Sequence, residues 1–209
     1  MKSKQLMVIG SGGHARVIIE TAQLMGEQLV GIIDVNFTGK EETILGVPVL
    51  GDLSALSDHR TADITVFIAL GNNPDRRKVC ETIRKQGFEL SVLIHPSAII
   101  SESARIEAGV YVGAGAIVNP QAEISEGTIV NTGVIIEHET RIGAFNHIGP
   151  GSTICGRVTI GADSFIGAGT TVIDKLTIGD SVTVGAGSVV IRDLDSGSTN
   201  VGNPSRVVK

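Results

Sequence analysis

The sequence predicts two folded parts: an α/β domain over residues 1–95 and an all-β stack of short parallel strands over residues 96–209. Two observations carry the second part. From Ile100 to Val190 every sixth residue is Ile or Val, without a break. An amphipathic helix spaces its apolar residues by three and four, and a half-buried strand by two, so a period of six fits neither. Two residues before most of these aliphatics stands something small or β-branched: Ala104, Val110, Ala116, Ala122, Thr128, Val134, Thr140, Ser152, Val158, Ser164 and Thr170. Positions two apart on a strand share a face, so each pair enters one core. A third observation carries the first part: strand, glycine turn, helix, strand and acid follow one another from Gln5 to Asp34.

In chain order, Gln5 to Ile9 is a short apolar strand, followed by the turn Gly10-Ser11-Gly12-Gly13-His14-Ala15. A helical pattern runs from Val17 to Met25, and Leu29 to Ile33 is a second strand ending at Asp34. This is the βαβ order of a Rossmann-like nucleotide-binding half-domain. The glycines let backbone approach a ligand, and the helix start offers N–H groups to an anion. Ala15 stands where the full glycine fingerprint has its third glycine. Gly46 to Gly51 reads as a short hairpin-like excursion and Ala62 to Leu70 as a third strand. Gly71-Asn72-Asn73-Pro74 breaks that strand, and a basic helix from Asp75 to Gln86 follows. Parallel strands put their carboxyl ends on one edge, which gathers Gly12, Asp34 and Asn72 around one crevice. Leu90 to Ile94 is the last strand, and His95-Pro96 marks the exit.

In the second part three hexads make one triangular coil, and coils stack at roughly 4.7–4.9 Å. Five coils give a prism on the order of 24 Å long. Gly113, Gly143, Gly149, Gly161, Gly167, Gly179 and Gly185 directly follow the aliphatic, where the backbone bends and a Cβ is costly. A β-sandwich does not keep such time, because its strands and turns vary in length. Arg192 to Thr199 is polar, and Val201-Gly202-Asn203-Pro204-Ser205-Arg206 breaks the period. That run is expected to loop over the open end of the prism and cover its last edge.

Composition agrees. Hydrophobic residues make up 42% of the 209, yet aromatics only 3% and Trp is absent, which suits a core of Ile, Val and Ala layers. A formal charge of −5 argues against nucleic acid as a partner, since phosphate binding needs clustered Lys and Arg. Cys80 and Cys155 have neither metal-ligand spacing nor a disulfide framework, as for two reduced thiols in a cytoplasmic protein. The apolar run in MKSKQLMVIG is too short for a signal peptide, and no stretch is long enough to span a membrane, so no membrane partner is expected.

Departures from the Ile/Val wall are where chemistry is expected. His138 falls two residues past core Ile136, at a corner, between Glu137 and Glu139. It reads either as a general base whose tautomer is fixed by a carboxylate, or as a solvated corner histidine. His147 precedes core Ile148, so alternation turns it outward; it could share one groove with His138, or be an ordinary surface histidine. His59 and His95 read as structural or solvated, and no metal site is expected.

The glycine-turn domain followed by the six-residue period, with Asn131-Thr132-Gly133-Val134-Ile135-Ile136-Glu137-His138-Glu139 and then Asn146-His147-Ile148-Gly149, resembles a family of bacterial sugar acetyltransferases. It comprises the UDP-4-amino-sugar N-acetyltransferases of bacillosamine synthesis, their dTDP-4-amino-sugar relatives and sialic acid O-acetyltransferases. The resemblance implies a nucleotide-sugar-binding domain followed by a left-handed parallel β-helix of hexapeptide repeats. It implies acetyl-CoA as co-substrate, with no metal, and acetyl transfer to the 4-amino group of a UDP- or dTDP-linked amino-dideoxy sugar. By that likeness His138 is the general base and Glu139 its orienting partner. His147, the backbone near Ala168 and Ala186, and Arg206 would contact acetyl-CoA. Gly12, Gly13, His14, Asp34, Gly71 and Asn72 match the sugar-nucleotide loops. Val35 stands where the family often has a second acid, and Ser205 replaces an Ala of its closing motif. The family also implies a homotrimer with sites between subunits, which suits flat prism faces that need covering.

Three rivals remain open on these residues. An O-acetyltransferase acting on sialic acid or another sugar hydroxyl uses the same base. A non-catalytic nucleotide-binding scaffold would bind nucleotide but not acetyl-CoA. A carbonic-anhydrase-like zinc enzyme on the same prism needs three converging histidines, and the coils supply two.

Overall fold

The structure is a computed structural model describing residues 5–59 and 63–209. Ala62, expected to start the third strand, and the first four residues of the N-terminal run lie outside the described residues. The chain divides into two compact units, Met1–Pro96 and Ser97–Lys209.

In the first unit β1 (Gln5–Ile9) lies between β2 (Gln28–Ile33) and β5 (Ile64–Ile68), parallel to both. Leu6, Met7, Val8 and Ile9 are wholly buried, as a central parallel strand covered on both faces requires. The expected hairpin excursion is more than that. Its second arm, β4 (Val47–Gly51), pairs antiparallel with β3 (Thr43–Ile44) and also joins the main sheet parallel to β2. The expected strand from Leu90 to Ile94 is broken in two. β6 (Glu89–Leu90) pairs with β5, and Leu93–Ile94 is a separate strand. Ser91 marks the break: its hydroxyl donates to Thr65 Oγ1 at 2.6 Å and its N–H to Val66 O at 2.9 Å.

Both helices start earlier than their apolar pattern suggests. α1 spans Gly13–Met25 because the turn glycines run straight into it, and Gly26 ends it in the left-handed region at φ 76°. α2 spans Asn73–Lys85, capped by Asn72, with Pro74 in the first turn where its missing N–H costs nothing.

The second unit is the predicted prism. Its two-residue strands each pair in parallel with the strand eighteen residues on, as Ile135 with Thr153 and Ile136 with Ile154. One face carries six strands, from Ile99–Ile100 to Val189–Val190, and a second carries five, from Arg105–Ile106 to Thr177–Ile178. The third runs through Tyr111, Ile129, His147, Phe165 and Thr183. From Val112 to Val190 the hexad aliphatics are at most 1% exposed.

The glycines that follow these aliphatics serve stacking rather than bending. A Cβ on Gly149 would lie 2.7 Å from Ala168 N in the next coil, and one on Gly113 2.7 Å from Thr132 N. The left-handed corner is two residues later, at Gly133, Glu139, Phe145, Gly151 and Arg157, with φ between 58° and 66°. The chain end also departs from a simple loop. Thr199–Val201 continues the third face parallel to Thr183–Val184, and Arg206–Val207 returns antiparallel as the edge.

Candidate active site

His138 stands at the corner after the Ile135–Ile136 strand. Its Nδ1 is 3.0 Å from Glu139 Oε2, an arrangement in which Nδ1–H donates to the carboxylate and Nε2 is left to accept a proton. Glu139 holds this place in the left-handed region at φ 58°, a conformation that costs a non-glycine residue roughly 1 kcal/mol. The same Oε2 is 3.2 Å from Arg157 Nε. The pair is about half exposed, so the contact orients the ring more than it stabilises the fold. Gly156, one coil on, makes room for the imidazole. A Cβ there would lie 2.7 Å from both His138 Cε1 and Nε2.

Cys155 neighbours this site. Burial first, then the Asp174 and Glu137 charges, push its thiol above the usual cysteine range. A nucleophilic cysteine needs the opposite shift. Among the described residues no group of three His, Cys, Asp or Glu side chains is placed to hold a metal ion.

His147 does not share a face with His138. It lies on the strand His147–Ile148 of the third face, its ring edge-on to Phe165 at 5.3 Å, with Asn131 Nδ2 3.1 Å from its Nε2. Ala168 and Ala186 occupy the corner after that face, eighteen residues apart, both exposed. Their N–H groups make no hydrogen bond among the described residues, because coil-to-coil bonding uses the flanking Gly167 and Gly169 or Gly185 and Gly187. Arg206 is exposed on the edge strand.

The carboxyl edge of the first unit brings the predicted loops together through residues the sequence reading passed over. Ser11 Oγ donates to Asp34 Oδ2 at 2.7 Å, tying the glycine turn to the second strand's acid, and Asn36 N–H holds Oδ1 at 3.0 Å. Arg16 donates to the carbonyls of Ser11 and Gly12 at 2.9 and 3.0 Å. Gly12 and Gly13 are exposed, with open space where a Cβ would be, and His14 is half-buried in the first helical turn. Asn72 stands at the loop tip and also caps α2: its Oδ1 accepts from the Asp75 N–H at 3.0 Å. Arg76, 1% exposed, donates to Leu70 O at 2.9 Å, Gly71 O at 3.2 Å and Asn73 Oδ1 at 2.9 Å, fixing the loop that carries Gly71. Beside it, a cavity of about 300 Å3 opens between the ends of β2 and β5 and the first turns of α2; Val35 is part of its wall.

A glycine-turn nucleotide crevice and an oriented histidine on hexapeptide coils define a hexapeptide-repeat acyltransferase, and comparison with known proteins narrows the class. The model of the PglD N-terminal domain matches residues 5–83, and that of the bacterial transferase hexapeptide (six repeats) matches 157–192. A variant of perosamine N-acetyltransferase from Caulobacter crescentus, solved with CoA and GDP-perosamine, is 39% identical with a TM-score of 0.94, over 98% of this chain and 97% of that one. The acetyltransferase domain of PglB from Neisseria gonorrhoeae, solved with acetyl coenzyme A, is 36% identical with a TM-score of 0.92, over 99% and 100% of the two chains. UDP-N-acetylbacillosamine N-acetyltransferase of Bacillus subtilis is 35% identical over 115 residues, 52% of this chain. That match spans 51% of the relative's length. The chain belongs to this family of nucleotide-linked amino-sugar N-acetyltransferases, with the left-handed β-helix that the resemblance implied.

Proposed function

We propose that the protein transfers acetyl from acetyl-CoA to the 4-amino group of a nucleotide-linked amino sugar in one direct step. The observation that carries this is the His138–Glu139 pair, with Nδ1 3.0 Å from Oε2 and Nε2 beside Gly156. The amine nitrogen attacks the thioester carbonyl and Nε2 takes the amine proton; the C–S bond then breaks and CoA leaves as its thiol, taking that proton from Nε2. The Gly156 N–H makes no hydrogen bond among the described residues and adjoins the ring, which suits it to the developing oxyanion. The raised Cys155 thiol argues against an acyl-enzyme.

Acetyl-CoA is assigned to the His147, Ala168 and Ala186 side of the prism, where two backbone donors are uncommitted, with Arg206 beyond them. That side and the His138 corner are different edges of one prism. A homotrimer, in which one copy's His138 corner meets another's His147 face, supplies both to one thioester. The division at Pro96 separates a nucleotide-sugar domain holding Gly12, Gly13, His14, Asp34, Gly71 and Asn72 from the acetyltransferase domain. Relatives differ in nucleotide: one is solved with GDP-perosamine and another is named for a UDP sugar. No helix among the described residues is long and apolar enough to cross a membrane.

The test is thiol release from acetyl-CoA against GDP-, UDP- and dTDP-linked 4-amino-4,6-dideoxy sugars, with free and CMP-linked sialic acid alongside. Turnover of one amino sugar is expected, falling roughly 10²–10⁴-fold in kcat in His138→Ala with both ligands still bound. Turnover of sialic acid alone would move the chemistry to oxygen. An unchanged rate in the variant would remove His138 from the mechanism.

A further inference from the structure

The cavity at the carboxyl edge of the first unit is not used by anything in the acetyl-transfer step. Its volume is about 300 Å3, and Val35, Leu53, Leu70 and Val79 line it together with Asp75 and Lys78. It adjoins the nucleotide crevice through the chain itself, since Val35 follows Asp34 and Leu70 precedes Gly71. Asp75 and Lys78 are both exposed on the first turns of α2. Neither the Asp75 carboxylate nor the Lys78 ammonium has a hydrogen bond or ion pair among the described residues. An acid in the first turn suits the helix dipole, but that accounts neither for Lys78 nor for the aliphatic walls facing the same space.

We infer that this cavity seats the nucleobase and that its Asp75–Lys78 pair selects guanine, so that the acceptor is a GDP-linked amino sugar. Aliphatic walls suit the flat faces of a base. The discrimination lies at the edge. A carboxylate has two acceptor oxygens side by side, and guanine offers two adjacent donors, N1–H and the exocyclic amino group, with O6 next to them for an ammonium. Uracil and thymine present a single N3–H flanked by two carbonyl oxygens, so one carboxylate oxygen would face a carbonyl. This rests on the N-acetyltransferase reading and adds which nucleotide it uses.

The experiment is calorimetric titration of the full chain with GDP, UDP and dTDP, repeated in Asp75→Asn and Lys78→Met, with thiol release from acetyl-CoA measured on the matching amino sugars. A good bidentate base contact corresponds to roughly tenfold discrimination or more. The expected result is GDP binding at least about tenfold tighter than UDP or dTDP, with Asp75→Asn abolishing the preference and Lys78→Met weakening GDP binding. Equal or tighter binding of UDP or dTDP, or a preference unchanged in Asp75→Asn, overturns the guanine assignment; thiol release with the UDP- or dTDP-linked sugar would then leave the N-acetyltransferase reading standing. Failure to bind any of the three nucleotides overturns both.

Discussion

Gly156→Ala is a small change aimed at the point where the fold carries the imidazole of the proposed general base, His138. The added Cβ would lie 2.7 Å from His138 Cε1 and Nε2 and 3.3 Å from Cδ2. Carbon contacts are comfortable at about 3.5–4.0 Å, so the ring must retreat by about 1 Å. Gly156 is not in the left-handed region, so the alanine backbone is unstrained and the burden falls on the ring. The imidazole side chain is 46% exposed and can swing outward, but doing so breaks its 3.0 Å contact with Glu139. A misplacement of about 1 Å at a reacting group costs about 10²-fold. The expected outcome is a roughly 10²-fold fall in kcat, read by thiol release, with affinity for the nucleotide unchanged. The midpoint of thermal unfolding should move little, because one exposed ion contact contributes only about 0–1 kcal/mol. An unaltered kcat would refute the assignment of His138 to the reacting centre, and a collapse of the melting transition would show that the glycine is needed for stacking instead.

Two further outcomes follow from neighbouring features. Arg76→Met keeps a long side chain but removes the donors to Leu70 O, Gly71 O and Asn73 Oδ1. It should cost about 2–3 kcal/mol in unfolding free energy, read by denaturant titration, and weaken nucleotide binding, while acetyl-CoA affinity is kept; a stable variant with normal nucleotide affinity would remove Arg76 from the loop's support. The Cys155 thiol, held above the ordinary range by burial and then by Asp174 and Glu137, should be alkylated more slowly than a free thiol at pH 8–9, because less of it is thiolate. Its folded-state value being raised, any contribution to stability is present below the unfolded thiol range and fades as pH rises through the folded one. Asp174→Asn should quicken the alkylation, and an unchanged rate would leave burial and the Glu137 charge as the causes.

The prism was legible because its core obeys arithmetic. Sixteen aliphatics at a period of six place every strand from Ile99–Ile100 to Val189–Val190, and the small residues two positions earlier mark the corners they fill. The βαβ half was legible in outline, since Gly12, Asp34 and Gly71 end three strands that prove to be adjacent. What escaped was decided by tertiary contact. Nothing local tells that Val49 meets Ile32 across a parallel pair, that Ser11 reaches Asp34, or that Arg76 folds back beneath its own loop. The cap that Asn72 makes through its oxygen was also passed over, although Asn is a common N-cap in a strand-to-helix loop. The surroundings of the candidate site were nearer to hand than they looked. A coil of eighteen residues carries His138 onto Gly156, Glu139 onto Arg157 and His147 onto Phe165, and each of these pairs is in contact in the structure. The period that fixes the core therefore also predicts what stands beside each functional residue. The same step of eighteen places His138 and His147, nine apart, half a coil from each other, the one past a strand of the first face and the other on the third.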